Sequence, residues 1–189
     1  MTWYVVDGMD GSGKTTTARS LQSILESDGR TVTVISHPNR ESFFGKLCSG
    51  CLLKEGCAAK MFATGFFFAD VMSSLFKMKR TDTDDVIFVR YLLSVAYISK
   101  DLVKPVYRIL SRMLPEPDYK IYKDVEVGDA LERVLRRGDE LEMFENYDAL
   151  MDTRHKMSMI TDDWYTINGR FTPSQVEEDL RSIIGLFNE

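Results

Sequence analysis

Histidine and cysteine are scarce, with two and three residues respectively in a chain of 189. Cys48 and Cys51 have metal-like spacing, but a structural zinc centre needs four ligands and no second pair of this kind follows. Reduced thiols in a short helical segment are therefore expected, and no metal held by sulfur. Long apolar runs are lacking too. Ala58 to Met78 comes nearest, and Lys60, Asp70 and Lys77 interrupt it before the roughly 18 residues of a membrane span accumulate. Trp3 already opens an apolar stretch, which leaves no room for a signal peptide, so a cytoplasmic location with no membrane partner is expected. Excess positive charge is also missing. The net charge is −5, whereas proteins that coat nucleic acid are basic, so nucleic acid is not an expected partner. What remains is ordinary: 44% hydrophobic and 28% charged residues suit one globular domain over residues 1–189 with a sizeable core.

One stretch stands out against this background. Gly8-Met9-Asp10-Gly11-Ser12-Gly13-Lys14-Thr15 satisfies the phosphate-loop pattern G-x-x-x-x-G-K-[ST] at each fixed position. Trp3 to Val6 reads as a strand before it. Ala18, Leu21, Ile24 and Leu25 fall at helical spacing after it. Gly8, Gly11 and Gly13 let the backbone bend into a nest of N–H groups around phosphate oxygens, with Ser12 and Thr16 in the same loop. The helix N-terminus adds its positive end. Lys14 would reach the β- and γ-phosphates, and Thr15 would place its hydroxyl on Mg²⁺. A nucleoside triphosphate, ATP, and Mg²⁺ are the ligands this implies.

The remaining elements alternate. Strands are expected at 31–35, 86–89, 119–125 and 164–167. Helices are expected at 43–53, 58–78, 92–113, 129–136 and 147–160. A last helix opens at Thr172-Pro173-Ser174-Gln175, with Thr172 as N-cap, Pro173 in the first turn and Gln175 closing a capping box. The pattern specifies an α/β fold with a five-stranded parallel sheet and helices on both faces, binding ligands at the carboxyl ends of the strands.

Three basic segments should meet at those strand ends: Arg40 after the second strand, Arg90 after the third, and the cluster Arg133, Arg136 and Arg137. Arginine suits phosphate because its planar fork makes two parallel charge-assisted hydrogen bonds. The run Phe66-Phe67-Phe68 cannot face one way, since each helical step turns about 100°. Phe67, Asp70 and Val71 share a face, and a phenylalanine beside an aspartate can stack on a base and bind its edge.

These residues resemble the thymidylate kinase family of P-loop nucleoside monophosphate kinases, nearly end to end. The family's GxDGSGKTT start is matched by Gly8 to Thr16, and its P-x-R-x-x-x-x-GKL by Pro38, Arg40, Gly45, Lys46 and Leu47. Its F-x-A-[DN] helix is matched by Phe67 to Asp70, and its DRY…S-x-A-[FY] by Arg90, Tyr91, Ser94, Ala96 and Tyr97. Pro117-Asp118 precedes the fourth strand as in the family, and the lid resembles Arg136 to Asn146 within a region of about 133–146. The resemblance implies ATP-dependent phosphorylation of a deoxynucleoside monophosphate, most simply dTMP to dTDP. It places Arg40 and Arg90 on the acceptor phosphate, Phe67 on the base, Tyr97 along sugar and base, and Asp10 beside the acceptor. With Gly11 where some members carry a loop arginine, Arg136 or Arg137 would supply the catalytic arginine from the lid. Family members are commonly homodimers.

Two positions depart from the pattern. Val89 replaces the acid of DRY, and Val71 replaces an arginine that reads the thymine edge. Asp70 is then the candidate to accept a hydrogen bond from an exocyclic amine. The alternatives left open are a kinase for another nucleotide or a nucleoside, and a nucleotide-binding protein without phosphoryl transfer.

Overall fold

A computed structural model of the chain describes residues 1–54, 56–138, 142 and 144–185. The strands are β1 (Thr2–Asp7), β2 (Val32–Ser36), β3 (Asp85–Val89), β4 (Tyr119–Asp124) and β5 (Tyr165–Asn168). They form one parallel sheet in the order β2-β3-β1-β4-β5. The helices are α1 (Lys14–Ser27), α2 (Phe43–Leu52), α3 (Cys57–Met78), α4 (Lys100–Met113), α5 (Val127–Arg137), α6 (Tyr147–Ser158) and α7 (Pro173–Ile184).

Both faces of the sheet are covered, and strand alternation decides which side chain goes where. Tyr4, Val6, Ile87 and Val89 point to one face and pack with Leu21 and Leu25 of α1 and Leu180 of α7. Trp3, Val5, Val86 and Phe88 point to the other, against Val71 and Leu75 of α3, Val103 of α4 and Met157 of α6. The inner strands β1 and β3 are buried on both sides, which is why their sequences read as continuous apolar runs, whereas β4 carries Lys120 and Lys123 and is buried only from Ile121 to Lys123. β5 lies at an edge, and only Ile167 of its four residues is buried.

The topology sets the position of the site. From β1 the chain moves past β3 to β2, and from β3 it crosses back to β4. The loops leaving β1 and β3 therefore diverge, and a crevice opens between their carboxyl ends. Those loops carry the phosphate loop and Arg90.

The expected helix at 92–113 is two elements. Leu92–Tyr97 is a 3₁₀ segment, Ile98 is extended with ψ −179°, and α4 starts at Lys100. The break keeps Leu93 and Ala96 buried under the site while α4 runs on along the core. The capping box at Thr172 is formed in full: its hydroxyl accepts from the Gln175 N–H, and Gln175 reaches back to the Thr172 N–H. The expected lid begins as the last turn of α5, which Gly138 ends at φ 74°. Its positions Asp139, Glu140, Leu141 and Met143 lie outside the described residues. Among the described residues, no helix is long and apolar enough to cross a membrane.

Candidate active site

The loop after β1 has the backbone that its glycines permit. Gly11 and Gly13 take φ of 73° and 90°, and a Cβ on Gly11 would stand 2.2 Å from the Ala130 carbonyl oxygen. No side chain fits at that position while α5 stays where it is. An arginine there is sterically excluded, which directs attention to the lid for that charge.

Asp7 anchors the loop from below. Its buried carboxylate accepts from the N–H groups of Gly8 (2.8 Å), Tyr91 (2.8 Å) and Leu93 (3.2 Å), tying the β1 and β3 loops together. Burial pushes its pKa up, and the hydrogen bonds from Tyr91 and Gly8 work against that rise. Asp7 was not singled out from the sequence, where it is a lone acid at the end of an apolar strand.

Lys14 is buried, donating to the Met9 carbonyl at 3.0 Å and to Asp10 at 3.2 Å. Burial lowers its pKa to about 8. Thr15 and Thr16 are exposed to the cleft, and the Ser12 hydroxyl is buried without a partner. Asp10 is the hub. It pairs with Lys14 and with Arg90, and accepts from the Tyr97 hydroxyl at 2.9 Å.

Arg90 has φ 70°, the sole positive value outside glycine among the described residues. Such a conformation persists only where its surroundings hold it, and His37 does so. The Arg90 carbonyl faces His37 Nδ1 at 3.0 Å, and since a carbonyl only accepts, Nδ1 carries the proton. In return Arg90 Nη1 donates to the His37 carbonyl at 3.2 Å. His37 was not singled out from the sequence, and no local pattern marks it.

The arginines of α5 divide the work. Arg136 pairs with Glu132 and is 75% exposed, pointing away from the cleft. Arg137 lines the phosphate cleft and donates to both oxygens of Glu145, at 2.9 and 3.1 Å. Arg133 clasps the back of the loop through the carbonyls of Gly11, Ser12 and Gly169. Arg40 is exposed and lines the same cleft. Lid residues Glu142 and Glu145 bring their carboxylates near Asp10, with one oxygen of each within 4.8 Å of the others. This all-oxygen donor set, with the Thr15 hydroxyl at the head of α1, fits the hard ligands that Mg²⁺ takes.

A second cleft, about 870 Å³ with its open mouth included, adjoins the first. Asp10, Pro38, Arg90 and Glu142 line both. Phe67, Val71 and Tyr97 line the second, and Phe144 of the lid packs on Tyr97 with ring centroids 4.8 Å apart. Burial raises the Tyr97 phenol well above its ordinary range.

Asp70 departs from expectation. It is fully buried, and its carboxylate accepts from the Asn39 N–H at 2.7 Å and from the Ser42 hydroxyl. Both oxygens serve to hold the 39–42 turn, and Asp70 does not line the second cleft. Val71, one helical step on, takes the cleft-facing position instead. Cys48 and Cys51 are free, the buried Cys48 thiol donates to the Ala63 carbonyl, and burial pushes its pKa up to about 12.

With that geometry in hand, the family model described as thymidylate kinase matches residues 6–180. The chain belongs to the thymidylate kinase family. It is 28% identical over 195 residues to a probable thymidylate kinase of Methanosphaera stadtmanae, covering 96% of each chain. It is also 28% identical to one of Archaeoglobus fulgidus, covering 96% of this chain and 94% of that one. Among solved structures, a thymidylate kinase from Candida albicans superposes with a TM-score of 0.76 at 21% identity, covering 97% of this chain and 91% of the other. That likeness supports the fold of a P-loop NTPase. As a thymidylate kinase family member the chain is a nucleoside monophosphate kinase, a transferase whose family uses ATP as phosphate donor.

Proposed function

We propose that this chain transfers the γ-phosphoryl group of ATP to the 5′-phosphate of dTMP, giving dTDP. The observation that carries the reading is the junction of the two clefts. A nest built for a triphosphate opens, across Asp10 and Arg90, into an apolar slot faced by Phe67. A nucleoside monophosphate has that polarity: anionic at one end, flat and weakly polar at the other.

Gly8, Gly11, Ser12, Gly13, Thr15 and Thr16 would cradle the triphosphate. Lys14 would leave Asp10 for the β- and γ-oxygens. Arg40 and Arg90 would hold the acceptor phosphate, with Asp10 orienting Arg90 and Tyr97 beside the sugar. Phe67 would stack on the base. Arg137 would exchange Glu145 for the transferring group and offset its negative charge. Thr15 and oxygens of the Asp10, Glu142 and Glu145 set would hold Mg²⁺, which when bound would supply neutralisation of part of the phosphate charge. The acceptor phosphate is already an anionic nucleophile, so no general base is needed. Val89 packs among core side chains on the α1 face, and the carboxylates near the phosphates come from Asp10 and the lid.

The test is ADP formation with ATP and Mg²⁺ over a panel of monophosphates and nucleosides, with Lys14→Ala as the blank. Turnover with dTMP is expected. ATP binding without turnover on any acceptor would favour a nucleotide-binding protein instead. A second copy would cover the apolar surface of α2 and α3, where Phe43 is 72%, Phe62 55% and Phe76 63% exposed; a monomer in sedimentation equilibrium would contradict this. The free thiols Cys48 and Cys51 suit a reducing cytoplasm.

A further inference from the structure

The apolar cleft has few groups with which to read the edge of a base. Asp10, Arg90 and Glu142 stand where it meets the phosphate cleft. Farther in, most hydroxyl and thiol protons are already donated elsewhere, while Arg90 at the junction keeps a buried Nε without a partner. The Tyr97 hydroxyl donates to Asp10 and the Tyr91 hydroxyl to the Pro115 carbonyl at 3.0 Å. The Cys48 thiol faces the Ala63 carbonyl, and Thr64 is also engaged. Asp70 is turned to the 39–42 turn. Of the described side chains that line the cleft, Ser94 alone has a buried hydroxyl without a partner. The other lining residues along α3, the 3₁₀ segment and α4 are largely apolar, with Val71, Val95, Leu110 and Leu114 among them.

A pyrimidine edge presents up to three hydrogen-bonding groups, and one hydroxyl cannot satisfy them all. A site that discriminates by edge hydrogen bonds rejects an analogue lacking them by about 10⁴–10⁵-fold. A site that discriminates by apolar shape does so by only about 10–200-fold per small group. We propose that this enzyme selects its acceptor by ring shape and stacking, so that its substrates are 5′-monophosphates bearing a thymine-sized planar ring, whether or not the ring edge can hydrogen-bond. This rests on the proposed monophosphate kinase activity and names the acceptor class of the same site.

The probe is the 5′-monophosphate of the 2,4-difluorotoluene deoxyriboside, a ring of thymine's shape without its edge donors and acceptors. Its kcat/KM is compared with that of dTMP in the wild-type protein, and both affinities are measured by calorimetry. The expected kcat/KM and Kd of the isostere lie within about a hundredfold of the dTMP values, the range of shape discrimination. A larger fall in either overturns the proposal. If neither nucleotide is phosphorylated but both bind within that range, shape selection stands and the kinase reading fails. If neither binds, both fail.

Discussion

At the residue scale, the decisive assignments are between neighbours in sequence. Arg136 and Arg137 are adjacent on α5, yet one faces Glu132 and solvent and the other the phosphate cleft. Arg137→Ala is expected to lower kcat by about 10²–10³-fold, the usual cost of one preorganised donor, while Arg136→Ala stays within about twofold of wild type; steady-state kinetics on both variants checks this, and the reverse ranking would move the role to Arg136. Asp70 and Val71 pose the same question on α3. Asp70→Asn weakens the hold on Asn39 and Ser42, so a loss of about 1–3 kcal/mol in denaturant unfolding is expected. The ratio of activities on dTMP and dCMP should not move; a changed ratio would restore Asp70 as a base reader. Such pairs were illegible beforehand for a physical reason. Neighbouring helical side chains point about 100° apart, and which of the two meets the cleft depends on how the helix is docked. The phosphate loop was legible because its chemistry is local: backbone bends, a helix start and one lysine at fixed spacing. Lys14 also gives a pH signature. Its pKa is lowered to about 8 chiefly by burial, and bound phosphates would raise it. ATP binding should therefore be coupled to proton uptake that grows from pH 7 to 8.5, measured by calorimetry in buffers of different ionisation enthalpy; uptake that is flat or reversed would contradict it.

At the scale of elements, most of what was expected followed from pattern. The capping box at Thr172 was written in sequence and is formed. Thr172→Ala is expected to cost about 1 kcal/mol in urea unfolding, with the m-value unchanged. The division of residues 92–113 was not visible, because Leu92, Leu93, Val95 and Ala96 are as apolar as a helix face requires. Their 3₁₀ geometry comes from the loop's attachment to Asp7 through the N–H groups of Tyr91 and Leu93. The loop and α5 are coupled as well. Gly11→Ala would force a Cβ against the Ala130 carbonyl at φ 73°. The expected loss exceeds the roughly 1–2 kcal/mol that the left-handed conformation alone costs, read as a lower Tm together with weaker ATP binding; unchanged ATP affinity would show that α5 yields freely.

Across the whole molecule, alternation of strands and helices was enough to specify a parallel sheet, but not the strand order. The order β2-β3-β1-β4-β5 follows from long-range pairing and puts the divergent loops of β1 and β3 side by side. That adjacency makes one site from three separate segments, with Asp10 and Lys14 on one, His37 on the second and Arg90 on the third. It also joins the phosphate cleft to the apolar one, and the central claim is that a phosphoryl group crosses that junction. Phosphorus NMR of a mixture of ATP, Mg²⁺ and dTMP with catalytic protein tests it most directly. One dTDP is expected for each ADP, with no free phosphate. ADP with inorganic phosphate, or an unchanged spectrum in the presence of bound ATP, would contradict it.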